Sequence, residues 1–373
     1  MDNENLRPII VSGIGPGNSG VGRFISALLS LDNDVKIVSI NVGPSLRLCL
    51  SNKRYISFFK EVFFRFVSRA TFLLKILLIK NRNIIIVHPQ TVGLGTVKFL
   101  SKYNTVQIYL VDNFWFCKKS YNVLSGSACF RCLESIDSSS SICKVSPIPY
   151  TQKTYSDFYT FIKRADIKFL VQTQTQKNLA LKHFGPYAEI HVVGLPSIDL
   201  HEGRIPFLSA NINCSVRRIL FHGALVDAKG YFWVVDLARY LPDVEFLIPD
   251  VDNNLYPIPH NLKFIPCSWD SGLKDLMSNV DLVICPSLWS SVIEGALVKS
   301  LWFHGVVAVV NSEGSYINEI PDNISLKLST SVKIAAQQII DFNPLSIDYN
   351  LVQSFVLSNN KFALTEWNSV LRN

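Results

Sequence analysis

The sequence predicts an α/β protein of two doubly wound, Rossmann-like domains, and three observations predict it. Apolar runs of strand length alternate with helical stretches through residues 1–196, and the alternation restarts through residues 217–350. Between them, Pro196 to Ser215 is polar, contains Pro206 and has little apolar periodicity, so residues 197–216 read as a linker. A chain of 373 residues that is 48% hydrophobic and 17% charged can bury two cores of ordinary domain size.

In the first series, Arg7 to Ser12 reads as a strand that feeds the glycine-rich turn Gly13 to Gly22. A helix is expected from Phe24 to about Leu31. Strands follow at Val35–Ile40, Ile84–Val87, Val106–Val111, Phe169–Val171 and Ile190–Val193. In the second series, strands are expected at Arg218–Phe221, Val244–Ile248 and Leu262–Pro266, with helices at Gly230–Tyr240 and Leu273–Ser278. An apolar run from Val280 to Ile284, interrupted by Asp281, then ends at Cys285-Pro286-Ser287-Leu288-Trp289. A helix from near Ile293 to Gly305 and a strand from Val306 to Val310 complete the pattern. Residues 351–373, through Phe355, Trp367 and Leu371, read as a closing helix that crosses back to the first domain.

Strand, loop and helix N-terminus in that order present backbone N–H groups to an anionic ligand. Two places fit. Gly15 to Gly20 satisfies G-x-G-x-x-G, but a nicotinamide enzyme also needs an acid after the second strand, where Asn41, Val42 and Gly43 stand instead. Gly20, Gly22 and Arg23 therefore suit phosphate contact or a tight structural turn. In the second series the strand ending at Phe221 is followed by Gly223 and, at a helix start, by Lys229, and the Pro-Ser loop is followed by Glu294, Gly295 and Ala296 at another. A lysine at a helix start opposes the macrodipole, so Lys229 is either a phosphate ligand or a solvated cation. Glu294 is either a site carboxylate or a favourable first-turn acid. Asp250 and Asp252 read as a surface turn.

Charge is divided unevenly. Residues 1–196 hold 24 Lys and Arg against 11 Asp and Glu, whereas the remainder holds 12 against 18. No basic-aromatic stacking motif or helix-turn-helix pattern points to nucleic acid. Residues 51–83 interleave cations such as Lys60, Arg65 and Arg69 with Phe59, Phe63 and Phe66, which suits an anionic membrane surface or, more plainly, a crossover helix on a sheet. No run is long and apolar enough to span a bilayer, and no secretory pattern opens the chain. Eight cysteines are too few for a disulfide scaffold, so a reducing cytoplasm is expected. Four of them, Cys117, Cys129, Cys132 and Cys143, share one loop and are either a structural zinc set, free thiols or a redox pair.

The Pro-Ser-x-Trp loop, the Gly20-Val21-Gly22-Arg23 turn and the Lys229-Gly230 pair resemble family 4 glycosyltransferases, which have the GT-B fold. The resemblance implies two Rossmann-like domains facing each other across a cleft, with a nucleotide-diphosphate sugar held mainly by the second. It also implies retaining glycosyl transfer without a catalytic metal, the acceptor lying on the first domain near His88 and Asp112. Two departures stand out. Ser291 and Lys299 occupy the positions of the family's two glutamates, which meet the donor sugar and the nucleotide ribose, and Ala224 replaces its arginine. Serine can still bond a hydroxyl, while lysine can only donate and suits a phosphate. With a basic first domain, the expected acceptor is a lipid-linked oligosaccharide or polysaccharide, at the inner face of a bacterial cytoplasmic membrane, in cell-surface polysaccharide assembly. The alternatives are an inactive GT-B scaffold subunit, or a nucleotide-sugar epimerase or hydrolase.

Overall fold

A computed structural model describes residues 7–32, 34–40, 55–134, 143, 150–197, 200, 215–250, 257–289 and 291–372. The Asn41–Gly43 stretch, most of the linker, and Asp252 lie outside the described residues.

The first unit runs β1 (Ile9–Ser12), α1 (Gly20–Leu31), β2 (Lys36–Ser39), α2 (Tyr55–Leu78), β3 (Asn83–Val87), α3 (Pro89–Val92) and α4 (Leu94–Tyr103). It continues with β4 (Thr105–Tyr109), the hairpin β5 (Val123–Leu124) and β6 (Ser127–Ala128), and α5 (Arg131–Glu134). It closes with α6 (Gln152–Arg164), β7 (Ile167–Val171), α7 (Gln174–Phe184) and β8 (Ile190–Val192). Six parallel strands lie in the order β2-β1-β3-β4-β7-β8. All four residues of β1 are buried, because helices cover both faces of a parallel sheet.

The second unit repeats the plan with β9 (Arg218–Phe221), α8 (Tyr231–Tyr240), β10 (Glu245–Ile248), β11 (Leu262–Phe264) and α9 (Leu273–Met277). After these come β12 (Leu282–Cys285), α10 (Gly295–Phe303), β13 (Val307–Val310), β14 (Leu326–Leu328), α11 (Val332–Ile340) and α12 (Tyr349–Arg372). Its parallel order is β11-β10-β9-β12-β13-β14. Asp281, which interrupts the apolar run, is buried and accepts from the N–H groups of Arg217 and Arg218, both at 2.8 Å. It ties the start of β12 to the start of β9.

Helix α12 joins the two cores. Val352 and Val356 pack into the second, and Trp367 sits in the first between Phe24 and Tyr109, with ring centroids at 5.1 and 5.0 Å. Gly194 makes that crossing possible, since a Cβ there would lie 2.8 Å from the Ala363 side chain.

Candidate functional site

An open parallel sheet binds ligands beyond the carboxyl ends of its strands, where the strand order reverses. Here the reversals fall between β1 and β3 and between β9 and β12. The loops leaving these four strands face one another across a cleft of about 680 Å³.

On the second-domain wall, Gly230 has φ 77°, and a Cβ would come within 2.2 Å of the Pro286 carbonyl oxygen. Only glycine lets the loop after β9 lie on the Pro-Ser loop after β12. That contact places Lys229 beside Glu294. The ammonium is 2.5 Å from both carboxylate oxygens, and Ser287 Oγ donates to Oε1 at 2.9 Å. Lys229 Nζ also stands 4.7 Å from the Trp289 ring centroid and 5.4 Å from that of Tyr121. Glu294 is the residue before α10, and Gly295 opens the helix with empty space where its Cβ would be. Gly295 and Ala296 of that first turn line the cleft, and the first N–H groups of a helix have no partner within it.

One turn on, Lys299 lies over Trp269, 4.3 Å from its ring centroid, and Trp269 is nearly parallel to His222, 4° apart at 5.9 Å. Ser300 Oγ donates to the Ala296 carbonyl and stands 2.8 Å from His222 Nδ1, so Nδ1 carries the proton. Burial, reinforced by the Lys299 charge, holds the His222 imidazole down at about 3. It is neutral at working pH.

On the first-domain wall, Ser19 caps α1 by accepting from Gly22 N–H at 3.0 Å. The helix thus begins at Gly20, four residues before the sequence expectation, and Gly20 and Gly22 lie in its first turn. Gly20 faces open space, while a Cβ on Gly22 would meet the Gly17 carbonyl oxygen at 2.8 Å. Arg23 reaches across to Asp270 of the second domain at 3.2 Å. His88 holds φ 60°, a strained backbone for a non-glycine residue. Its Nδ1 is 2.8 Å from Thr91 Oγ1, and Gln90 Nε2 stands between its Nε2 (3.0 Å) and Asp112 Oδ2 (2.7 Å). Burial lowers the His88 pKa, with Asp112 opposing; burial raises that of Asp112, with His88 opposing.

The cleft brings together Gly20, Arg23, His88, Asp112, Lys229, Glu294, Gly295, Ala296 and Lys299. Gly22 and Gly223 are spacers behind it, and a Cβ on Gly223 would meet the Phe221 ring at 2.9 Å. Ser291 stands elsewhere. It is buried, its Oγ donates to Asn113 Oδ1 at 2.9 Å, and its carbonyl accepts from Thr173 Oγ1 at 2.7 Å. It braces the two domains rather than meeting a sugar hydroxyl, because the loop turns it toward Asn113. Cys117 and Cys132 are buried in the first core, and burial pushes the Cys117 thiol up to about 12. Among the described residues no three His, Cys, Asp or Glu side chains are arranged to hold a metal ion, though Cys129, Cys132 and Cys143 all lie near enough to Cys117 to act on its charge. Tyr121, Trp269 and Asp270 line the cleft and were not singled out from sequence, where lone aromatic and acidic loop residues carry no periodic signal.

No model of a protein family and no curated protein matches the chain. Solved structures do. Sucrose-phosphate synthase from Thermosynechococcus elongatus is 11% identical over 98% of this chain and 95% of its own, with a TM-score of 0.56. HepE of Anabaena, solved with UDP, is 12% identical over 98% and 100%, at 0.57. Trehalose-6-phosphate synthase OtsA is 13% identical over 98% and 97%, at 0.54. The likeness is one of fold, and the fold is GT-B.

Proposed function

We propose that the chain is a glycosyltransferase that binds a nucleotide-diphosphate sugar on the second-domain wall and an acceptor hydroxyl on the first. The observation that carries this reading is the second wall itself. The N-terminus of a nine-residue helix, an open Gly295 and two lysines converge on one side of the cleft. N–H groups at a helix start and fixed cations suit a diphosphate, in the ground state and as it departs. Lys229 and Lys299 take that charge, and Glu294 holds Lys229 in place until the donor arrives. Gly20 and Arg23 close the phosphates in from the opposite wall. The first wall suits a neutral polyol, since His88, Gln90 and Asp112 are paired polar groups rather than exposed charges.

The motif resemblance supports retention of anomeric configuration and independence from a catalytic metal. The fold neighbours support the donor class, HepE having been solved with UDP. A lipid-linked saccharide acceptor, met at the inner face of a bacterial cytoplasmic membrane, is the reading that suits the basic first domain. A thermal-shift panel of nucleoside diphosphates and their sugars tests the donor site. One nucleotide series should raise the melting temperature, and hydrolysis of that sugar should be slow without acceptor. A flat panel at millimolar ligand would contradict the reading and favour a scaffold subunit.

A further inference from the structure

Helix α2 is packed inside out. In its first half the most buried residue is polar: Glu61 is 8% exposed, with Phe58 half-buried on the same face, and Arg65 donates to it at 2.8 Å. Arg69, one turn on, donates to the carbonyls of Thr91 and Val92 at 3.2 and 3.3 Å. Only near its end does the inward stripe become apolar, with Phe72 and Ile76. The outward residues are the reverse: Ile56, Phe59, Phe63, Phe66, Leu74 and Leu78 are between 64% and 84% exposed. Of the 22 large hydrophobics exposed among the described residues, twelve lie on this helix, so the patch is a concentrated feature rather than ordinary scatter.

Two observations say what covers it. At about 100° per residue, the exposed apolar positions from Val62 round to Phe64 sweep roughly 200° of the circumference. A second protein helix would need a narrow seam, whereas a helix immersed along its length in lipid needs a wide arc. The charges fit the same occupant. Lys60 and Lys75 stand near one edge of the arc, and the helix's one acid, Glu61, faces inward. Beyond its end, Lys80 and Lys102 place their ammonium groups 5.6 and 5.3 Å from the Tyr103 ring centroid, a lysine-flanked aromatic suited to headgroups. Among the described residues no helix is long and apolar enough to cross a membrane.

The position of the helix matters as much as its surface. Thr91 and Val92, which hold Arg69, lie just beyond the carboxyl end of β3 and just after His88. From Arg69 back to Tyr55 the helix extends roughly 20 Å further, at 1.5 Å per residue. Its most aromatic half therefore stands on the cleft side of the first sheet.

We propose that α2 docks the protein on an anionic bilayer, its aromatic arc in the headgroup–acyl boundary and its lysines at lipid phosphates, beside the mouth of the cleft. Docking stands independently of the transferase reading; only delivery of a lipid-linked acceptor to His88 and Asp112 rests on that reading. Flotation of the full chain with vesicles holding roughly 30% phosphatidylglycerol, against pure phosphatidylcholine, tests it. Binding to the anionic vesicles should be at least about tenfold stronger and should weaken with salt. Phe59→Ser, Phe63→Ser and Phe66→Ser together should abolish it, and Lys60→Glu with Lys75→Glu should remove the preference for anionic lipid. Both variants should keep cooperative melting and the nucleotide response, which separates this test from that of the donor site. Wild-type protein that stays in solution with anionic vesicles would overturn the proposal. So would a dimer by light scattering that the triple phenylalanine variant converts to monomer.

Discussion

On the second-domain wall of the cleft a helix opens at Gly295 with Lys229 and Lys299 beside it; on the first-domain wall a helix opens at Gly20 with Arg23, and a half-buried histidine and a buried carboxylate lie behind it. The device is shared, but the chemistry differs. On the second wall the lysines are positioned by groups that can release them: Glu294 for Lys229, and the Trp269 face for Lys299. On the proposed reading, a diphosphate brings more negative charge than Glu294 holds and draws both ammonium groups. On the first wall, burial works against charge on both groups, lowering the His88 pKa and raising that of Asp112. On the proposed reading that wall orients the hydroxyls of an acceptor.

The largest expected effect breaks the second wall. Lys229→Ala should lower turnover by roughly 100-fold or more, the scale of losing one preorganised charge stabiliser. It also strands Glu294, so melting should fall as well. Adding Glu294→Ala should restore most of the stability without restoring turnover, which separates the structural part of the pair from the catalytic part.

Acid should undo stability through buried His183 and half-buried His222. His222 on the second wall is held at about 3, and His183, bonded through Nδ1 to the Leu133 carbonyl, at about 4. Both folded values lie below the ordinary 6.5, so the unfolded chain binds more protons between those limits. Their contribution is complete above about pH 6.5 and drains away as pH falls toward about 4 for His183 and about 3 for His222, on the order of 3 kcal/mol for His183. Denaturant melts at pH 7 and 4.5 measure it, and His183→Phe should flatten the slope.

Lys299→Glu probes the second wall's charge. It restores the residue that the family resemblance places there, yet should lower kcat/KM about tenfold if the wall is built around a cation. A neutral or activating outcome would mean that Lys299 does not meet the donor. The smallest effect belongs to the brace: Ser291→Ala should cost about 1 kcal/mol of stability and alter KM more than kcat.

The sheets were legible because strands buried on both faces leave short apolar runs, and the Pro286–Trp289 loop was legible because it punctuates one. The cleft was legible only in part. Position alone put Ser291 among donor contacts, whereas its side chain turns to Asn113 across the domain boundary, a contact 178 residues apart in sequence. The Lys229–Glu294 pair, 65 residues apart, was equally hidden, though both residues were singled out separately. Helix α2 shows the same limit from the other side. Composition pointed to either a membrane surface or a crossover helix on a sheet, and only packing reveals which face points inward.

The proposed donor site puts the diphosphate at the start of α10 on the second wall. Gly295 and Gly20 offer a matched pair of probes, since a Cβ at either meets nothing within 4 Å and the fold should accept both changes. Calorimetric titration with UDP, ADP and GDP should find one that binds the wild-type chain. Gly295→Val should weaken that nucleotide at least about tenfold more than Gly20→Val, with both variants melting like the wild type. Equal affinity in Gly295→Val and wild type, or a loss confined to Gly20→Val, would contradict the claim.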